Sequence, residues 1–532
     1  MKKIQEQERI ENMRERILIV LNLFAILLQT AIAQPNTEVF KWCGAVTDSS
    51  VKINCKLQFA SSNIKFVADV SPNFSSPIFS TYAMPDTSNN NLYNSTISGL
   101  QPNTKYYYAV FENGTILPNT VSDFTTATYQ PLSFSFGAAS CSYSGNHAVY
   151  NVINNMHPRF FIVSGDLHYW DPNSLNINLH RNPYAFTLSQ PAIKNFLQHT
   201  PIAYVWDDHD FSGNNGDGTS IGKHSASVAY RENVPHFPFH NSIVDGGIYQ
   251  SFNYGRVHFI LTDLRSERLE GQHLISALQM AWLKNEIVTA RNNNLFPVWI
   301  SSVSFSGNNE YDNWSGYTAQ RIQIANCLRD SLIKNLLIIC GDAHMLAIDD
   351  GSNGNFTTGA PNPNKYPIFQ AAALNRFGSV KGGTFSSGVF PNPTPQTGQF
   401  GIVDVVDNGG DTLCFNLKAI RTDSVGANTS IITSYSFCRN IDKNWDSVIE
   451  NLSENKVDLV THYFENDKLI IKNKSAELIE SIVVSNLQSQ SIFKEENILP
   501  NQKVEFCVNT NHGVFIITVK TKSKKQVMKV GL

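Results

Sequence analysis

The chain has 532 residues, 42% of them hydrophobic and 16% charged, with a net charge of −3 and eight cysteines. That length holds three or four units with ample core-forming material, and the near-neutral charge excludes both the basic field of a nucleic-acid binder and a strongly acidic solvating tail. Eight cysteines over this length are too few for a scaffold built on disulfides.

The chain begins with an apolar run, ILIVLNLFAILLQTAIA (17–33), preceded by Arg14 and Arg16 and ending in Ala-Ile-Ala before Gln34. This pattern predicts a signal peptide over 1–33. The competing reading is an uncleaved anchor, because the run reaches the spanning minimum of about 17 residues. No later segment is long and apolar enough to span, so the mature chain is expected to carry no transmembrane segment. Residues 35–130 alternate apolar and polar positions between Pro, Asn and Gly breaks, which predicts a small antiparallel β-sandwich. Its ISGLQPNTKYYYAV segment resembles fibronectin type III modules, a likeness that speaks to fold and not to activity.

From 131 the texture changes. LSFSFGAASC, RFFIVSGDLHYWD, PIAYVWDDHD, RVHFILTDLR, FPVWISSVSF and NLLIICGDAHM are β-rich and nearly continuous in their apolar parts, as strands covered on both faces are. HAVYNVINNMH, PYAFTLSQPAIKNFLQH and ISALQMAWLKNEIVTARN repeat apolar residues every three or four positions and read as covering helices. The alternation predicts an α/β domain. Further strands up to residue 440 are expected to complete it as a second sheet. Residues 441–456 read as a linker and 457–532 as a final small β-sandwich. Cys43 with Cys55, and Cys414 with Cys438, lie in neighbouring strand-like runs, where each pair could form a bridge or stay as buried thiols.

Five of the six runs end in chemically capable groups: Cys141; Asp166, His168 and Tyr169; Asp207 to Asp210; Asp263 and Arg265; Asp342 and His344. In open α/β sheets ligands bind beyond the carboxyl ends of strands, so these groups should converge on one crevice. A single strand-end Asp is more often a cap or turn former. Clustered carboxylates need cations to offset their repulsion, and oxygen donors with one imidazole and one thiolate suit Fe, Mn or Zn with Ca or Mg. Cys141, among small polar residues, is expected to offer an accessible thiolate. A calcium loop competes for DDHDFSGNNGDG, since Asp208, Asp210, Ser212 and Gly213 fit its first, third, fifth and sixth positions. Thr219 stands where its twelfth position needs Glu, and the flanks are not helical.

GAASCSYSG, VSGDLHYWD, VWDDHDFSGNN, TDLR and ICGDAHMLAIDDG, in this order, are similar to the alkaline phosphatase D (PhoD-like) family of the calcineurin-like metallophosphatase superfamily, over about 131–440. The resemblance implies a four-layer α/β/β/α core and a centre of two or more metal ions, with Fe3+ and Ca2+ favoured and Zn2+ or Mn2+ as alternatives. It assigns metal binding to Cys141, Asp166 as the bridge, Tyr169, Asp208, Asp342 and His344. His209 is expected to face the phosphate or the leaving group and not to be a ligand. Arg265 either donates to phosphate or pairs with Asp263 or a sheet carboxylate. Asn214 and Asn215 either orient substrate or form a turn. The superfamily's additional His is not evident, because FPVWISSVSFSG ends in serines and His258 lies mid-strand.

The implied activity is hydrolysis of phosphate monoesters, diesters or both, on small-molecule or polymer substrates, by a metal-activated water. The competing class is a catalytically silent, calcium-stabilised binding module. The end of the chain, with GVFIITV and a short basic finish, resembles sorting domains of the type IX secretion system. That likeness implies the secretion machinery as a partner and a secreted or cell-surface location. The plainer alternative is a carbohydrate- or protein-binding β-module.

Overall fold

The computed structural model describes residues 36–441 except 308–311, 380–382 and 395, and residues 459–531 except 466–467, 486–490, 508–513 and 523–524. Of the first 35 it describes 9, 11 and 13–19. The chain forms two units, Met1–Asp442 and Lys443–Leu532.

The first unit is built on two large sheets. Parallel strands Phe134–Ala139, Phe161–Ser164 and Ile202–Val205 lie side by side at the centre of a nine-stranded sheet. Their FSFGAA, FIVS and IAYV sequences are apolar apart from Ser135 and Ser164 because both faces are covered. Gly398–Asp407 pairs antiparallel with Phe134–Ala139, and Thr412–Thr422 and Thr429–Asn440 continue outward. On the other side Glu38–Gly44 joins Ile202–Val205, followed by Ser50–Leu57 and Leu92–Ser98. The second sheet has seven strands, in the order Gln250–Tyr254, Val257–Leu261, Phe296–Ser301, Leu337–Cys340, Ile368–Ala371, Met345–Asp349, Ser387–Pro391.

Side chains of both sheets share one core, with Phe136, Val163 and Tyr204 in the same cluster as Phe259, Val298, Ile339 and Phe369. Helices Val149–Asn155 and Pro191–His199 add Tyr150, Ile153 and Phe196 to that cluster. Helix Ala277–Asn292 buries Met280, Leu283 and Ile287 in a second core with Trp299 and Ile338.

Two expectations change. The late strands do not all belong to the second sheet: Gly398–Asn440 extends the first, because Ile402 and Val403 find their backbone partners on Gly137 and Phe136. Residue 130 does not end a detached sandwich either. Residues 43–124 have their own core, including Ile53, Phe66, Tyr108 and Phe124, yet three of their strands belong to the nine-stranded sheet.

Of the candidate cysteine pairs, Cys414–Cys438 is bridged across directly opposed residues, whereas Cys43 and Cys55 are free because Cys43 faces Ile53 across the ladder. The second unit has a sheet of Val460–Glu465, Lys468–Asn473 and Lys503–Cys507, and another of Ser491–Ile498, Ile479–Ser485, Val514–Thr521 and Lys525–Gly531, around Leu469, Ile482 and Ile517. The expected linker from 442 on, and the expected signal peptide beyond residues 13–19, lie outside the described residues. Among the described residues no helix is long and apolar enough to cross a membrane.

Candidate metal centre

The loops after strands Phe134–Ala139, Phe161–Ser164, Ile202–Val205 and Leu337–Cys340 meet at their carboxyl ends. Both Gly-Asp pairs have a steric cause. A Cβ on Gly165 would lie 2.3 Å from the Asp207 Cβ, and one on Gly341 would lie 2.4 Å from the Ser164 carbonyl oxygen. Glycine therefore lets two strand ends touch, and the next residue turns sharply. Cys141, Asp166 and Asp342 all sit at left-handed φ, 62°, 54° and 60°, a conformation that costs a residue with a Cβ about 1–2 kcal/mol.

These turns bring two donor triples together, Cys141–Asp166–His344 and Asp166–Asp208–His209, each with its ligand atoms within 4.8 Å of one another. Asp166 belongs to both, and its two oxygens face different ways. Oδ2 accepts from the Tyr169 hydroxyl at 2.9 Å, and Oδ1 from the His209 backbone N–H at 3.3 Å. Tyr169 also lies 3.0 Å from His344 Nε2, so it stands beside the first triple as a fourth donor. His344 Nδ1 donates to the Gly378 carbonyl at 3.1 Å, which leaves Nε2 as the ligating nitrogen. Asp342 belongs to neither triple. Its backbone carbonyl lies 3.6 Å from Cys141 Sγ, and its charge helps raise both Cys141 and Asp166.

The donor set fits cations. Burial, reinforced by Asp208, Asp207, Asp210 and Asp342, pushes the Asp166 carboxyl well above its usual range. A cation between the carboxylates offsets that repulsion. Burial also pushes the Cys141 thiol well up, followed by Asp166 and Asp342. Cys141 is fully buried, which corrects the expectation of an accessible thiolate: Ala372, Ala373 and Tyr169 cover it. Sulfur, phenol, imidazole and carboxylate suit a trivalent or borderline transition metal, and the carboxylate-rich second triple suits a harder ion.

The acid run 207–210 divides its labour. Asp207 caps the short helix Asp208–Phe211 in a reciprocal box with Asp210. Asp210 accepts from the Leu167 backbone N–H and the Tyr204 hydroxyl, and burial pushes it up to about 7. With Asp210 turned inward and a helix at 208–211, the geometry goes against the competing calcium loop. Asp208 would be raised by burial, but Arg265 outweighs this and holds it low. The Asp208 Oδ2 accepts from the Asn215 backbone N–H at 2.6 Å, and Asn215 has φ 59°. Asn214 and Asn215 are exposed, so the turn reading describes their geometry, and Asn215 meets Asp208 through its backbone.

Arg265 follows the pairing alternative, with Asp207 and Asp312 as partners in place of Asp263. It is fully buried, with Nε and Nη2 on Asp207 at 2.5 and 3.0 Å and Nη1 on Asp312 at 2.7 Å. Arg268 shares Asp312 at 2.6 Å, and Ser302 donates to Asp207 at 2.8 Å. Two buried carboxylates take three of its five N–H donors and its side chain is closed to solvent, so a phosphate in solution does not reach it. Asp263 is likewise structural, accepting from Trp206 Nε1, the Ile248 N–H and Ser266. His168 is buried beside Tyr184, and burial lowers its pKa to about 3.

His209 Nδ1 donates to Asp171 Oδ1 at 2.5 Å, and its ring lies 4.1 Å from that of Tyr169. Sequence reasoning gave Asp171 no role, although it lies in the VSGDLHYWD motif. It also missed Asn375, which accepts from the Tyr143 and Ser144 N–H groups at 2.6 and 3.0 Å, and the neighbouring Arg376. Neither sits in a motif. A cavity of about 570 Å3 lined by Lys105, Arg159 and His199 lies elsewhere, at the amino ends of the strands, and holds none of these donors.

Residues 136–365 match the family model of PhoD-like phosphatases. The chain is 25% identical over 306 residues to alkaline phosphatase D of Bacillus subtilis, covering 46% of this chain and 52% of that protein, so it spans about half the length of this curated relative. A solved PhoD structure superposes with a TM-score of 0.61 at 17% identity, over 76% of this chain and 90% of the other. A purple acid phosphatase from yellow lupin seeds gives 0.52 at 12% identity, over 77% and 75%.

Proposed function

We propose that the chain is a metal-dependent phosphohydrolase acting on phosphate mono- or diesters, with Asp166 bridging two cations. The observation that carries this reading is that Asp166 stands both in the triple with Cys141 and His344 and beside Asp208 in a second group, whose His209 is kept for the leaving group. Cys141, Asp166, Tyr169 and His344 would hold an ion such as Fe3+, and Asp166, Asp208 and the nearby Asp342 one or more harder ions such as Ca2+, with Zn2+ or Mn2+ as alternatives. The bound ions supply positive charge against the phosphoryl oxygens and an activated water as nucleophile.

The chain's own groups do the rest. Asp166, fixed by Tyr169 on one oxygen and the His209 N–H on the other, sets the spacing of the two sites. Asp171 holds the Nδ1 proton of His209 and orients the ring, which leaves Nε2 to serve the leaving alkoxide. Arg265 and Arg268 hold Asp207 and Asp312 from behind and stay out of the reaction. The two sheets serve as the inner layers of an α/β/β/α sandwich. The apolar leader and the C-terminal β unit serve as export addresses, with type IX secretion delivering the enzyme outside the cell.

The test is elemental analysis of the purified chain with assays on chromogenic phosphate mono- and diesters. Two or more metal equivalents and turnover are expected. Asp166→Asn should lose metal and at least about 1,000-fold in kcat/KM, since it removes the shared ligand. Metal-free protein, or an Asp166→Asn enzyme with wild-type turnover, would sink the proposal.

A further inference from the structure

The arginine that the sequence offers for phosphate, Arg265, is consumed by buried carboxylates. A different arginine faces the centre. The Arg376 guanidinium lies 4.8 Å from the Tyr143 ring centroid, 4.9 Å from that of Tyr169 and 5.9 Å from that of Phe377. Tyr169 is the side chain whose hydroxyl sits between Asp166 and His344, so Arg376 is one aromatic ring from the shared carboxylate. Its Nε is buried with no hydrogen-bond partner among the described residues, and no carboxylate pairs with it there.

The position of Arg376 is built into the backbone. Leu374 N–H donates to the Ser140 carbonyl at 2.8 Å, and Asn375 clamps the loop after Cys141 through Tyr143 N and Ser144 N. Asn392 Nδ2 holds the Arg376 carbonyl at 3.0 Å. A cation whose backbone is held this way, backed by aromatic faces and with no carboxylate paired to it among the described residues, is prepared for an anionic ligand that arrives from solution. Aromatic rings stabilise a guanidinium by about 0.5–2 kcal/mol but leave its in-plane N–H donors free, and a planar fork of donors matches a phosphoryl group.

We propose that Arg376 is the substrate-binding cation of this centre, its guanidinium donating to a non-bridging phosphoryl oxygen of the ester, with Tyr143 and Phe377 forming the wall beside it. The proposal rests on the phosphohydrolase reading and deepens it.

The test uses the full-length, metal-loaded chain and inorganic phosphate as the probe, with binding measured by calorimetry, alongside kcat/KM on a chromogenic monoester and metal content. For Arg376→Ala, phosphate affinity should fall about tenfold or more and kcat/KM about 100-fold, with metal content unchanged. Arg376→Lys should recover part of the affinity. An Arg376→Ala protein that binds phosphate within twofold of wild type overturns the inference, and so does one that loses metal, because Arg376 would then be a structural support. The two readings fail separately. Turnover without Arg376-dependent phosphate binding removes this inference alone. Arg376-dependent phosphate binding without turnover removes the proposed hydrolysis and leaves the anion site standing.

Discussion

Arg265 shows how a residue's chemistry is set by what surrounds it. Its guanidinium is sealed between Asp207 and Asp312, and removing one member of a buried ion network leaves the others uncompensated. Arg265→Ala is therefore expected to destabilise the first unit by about 3–5 kcal/mol, read as a lower urea midpoint. An enzyme of wild-type stability would mean that the carboxylates are paired by something else. His236 supplies a pH effect far from the metals. Burial, with Lys52 3.2 Å away, lowers its pKa from 6.5 to about 3, and its ring stacks on Phe239. The unfolded chain takes a proton on this group below pH 6.5 while the folded chain refuses it until about pH 3. Stability is lost as pH falls through that window, by up to about 1.4 kcal/mol per pH unit from this group. His236→Asn should flatten the pH dependence of the urea midpoint between pH 6 and 4 by about one proton, and an unchanged slope would contradict the burial argument.

At the scale of elements, the strand ends carry the candidate donors. Gly165 has φ 102° and leaves no room for a Cβ against Asp207. Gly165→Ala is expected to cost about 3 kcal/mol through strain and overpacking and to lower metal content by displacing Asp166, checked by thermal melting and elemental analysis. The central strands were legible because a both-sides-covered strand is written as an apolar run. The convergence of Cys141, Asp166, Asp208, His209 and His344 was legible because the ends of parallel strands share one edge. Arg376 was not, since it follows no strand signal and reaches the centre only through the clamp of Asn375 on a loop some 230 residues earlier. Sheet membership of Gly398–Asn440 was likewise hidden, because its alternating pattern suits either sheet and only the partner strand decides.

The whole molecule divides at residue 442 and not at 130. Glu38–Gly44 and its neighbours continue the nine-stranded sheet, Trp42 Nε1 donates to the Asn233 carbonyl at 2.9 Å, and the Tyr108 hydroxyl donates to that of Gln198 at 2.9 Å. A chain ending at 441 keeps all the cores of the first unit, so its melting temperature should match that of the corresponding transition in the full-length protein within about 2 °C. A chain starting at 131 exposes the edge of Ile202–Val205 and the apolar Phe40 and Trp42 contacts, and should aggregate or melt far lower. Differential scanning calorimetry separates these outcomes, and a stable 131–441 fragment would show that the N-terminal strands are dispensable.

By itself the sequence determined the local features: the period of each strand and helix, the Gly-Asp turns that require glycine, and the row of donors at the strand ends. Tertiary structure decided what each donor is paired with. It turned Arg265 and Asp210 inward, shared Asp166 between two triples, buried Cys141, and set Arg376 against Tyr169. A side chain's charge is a local property, but whether that charge remains available depends on which distant segment arrives beside it.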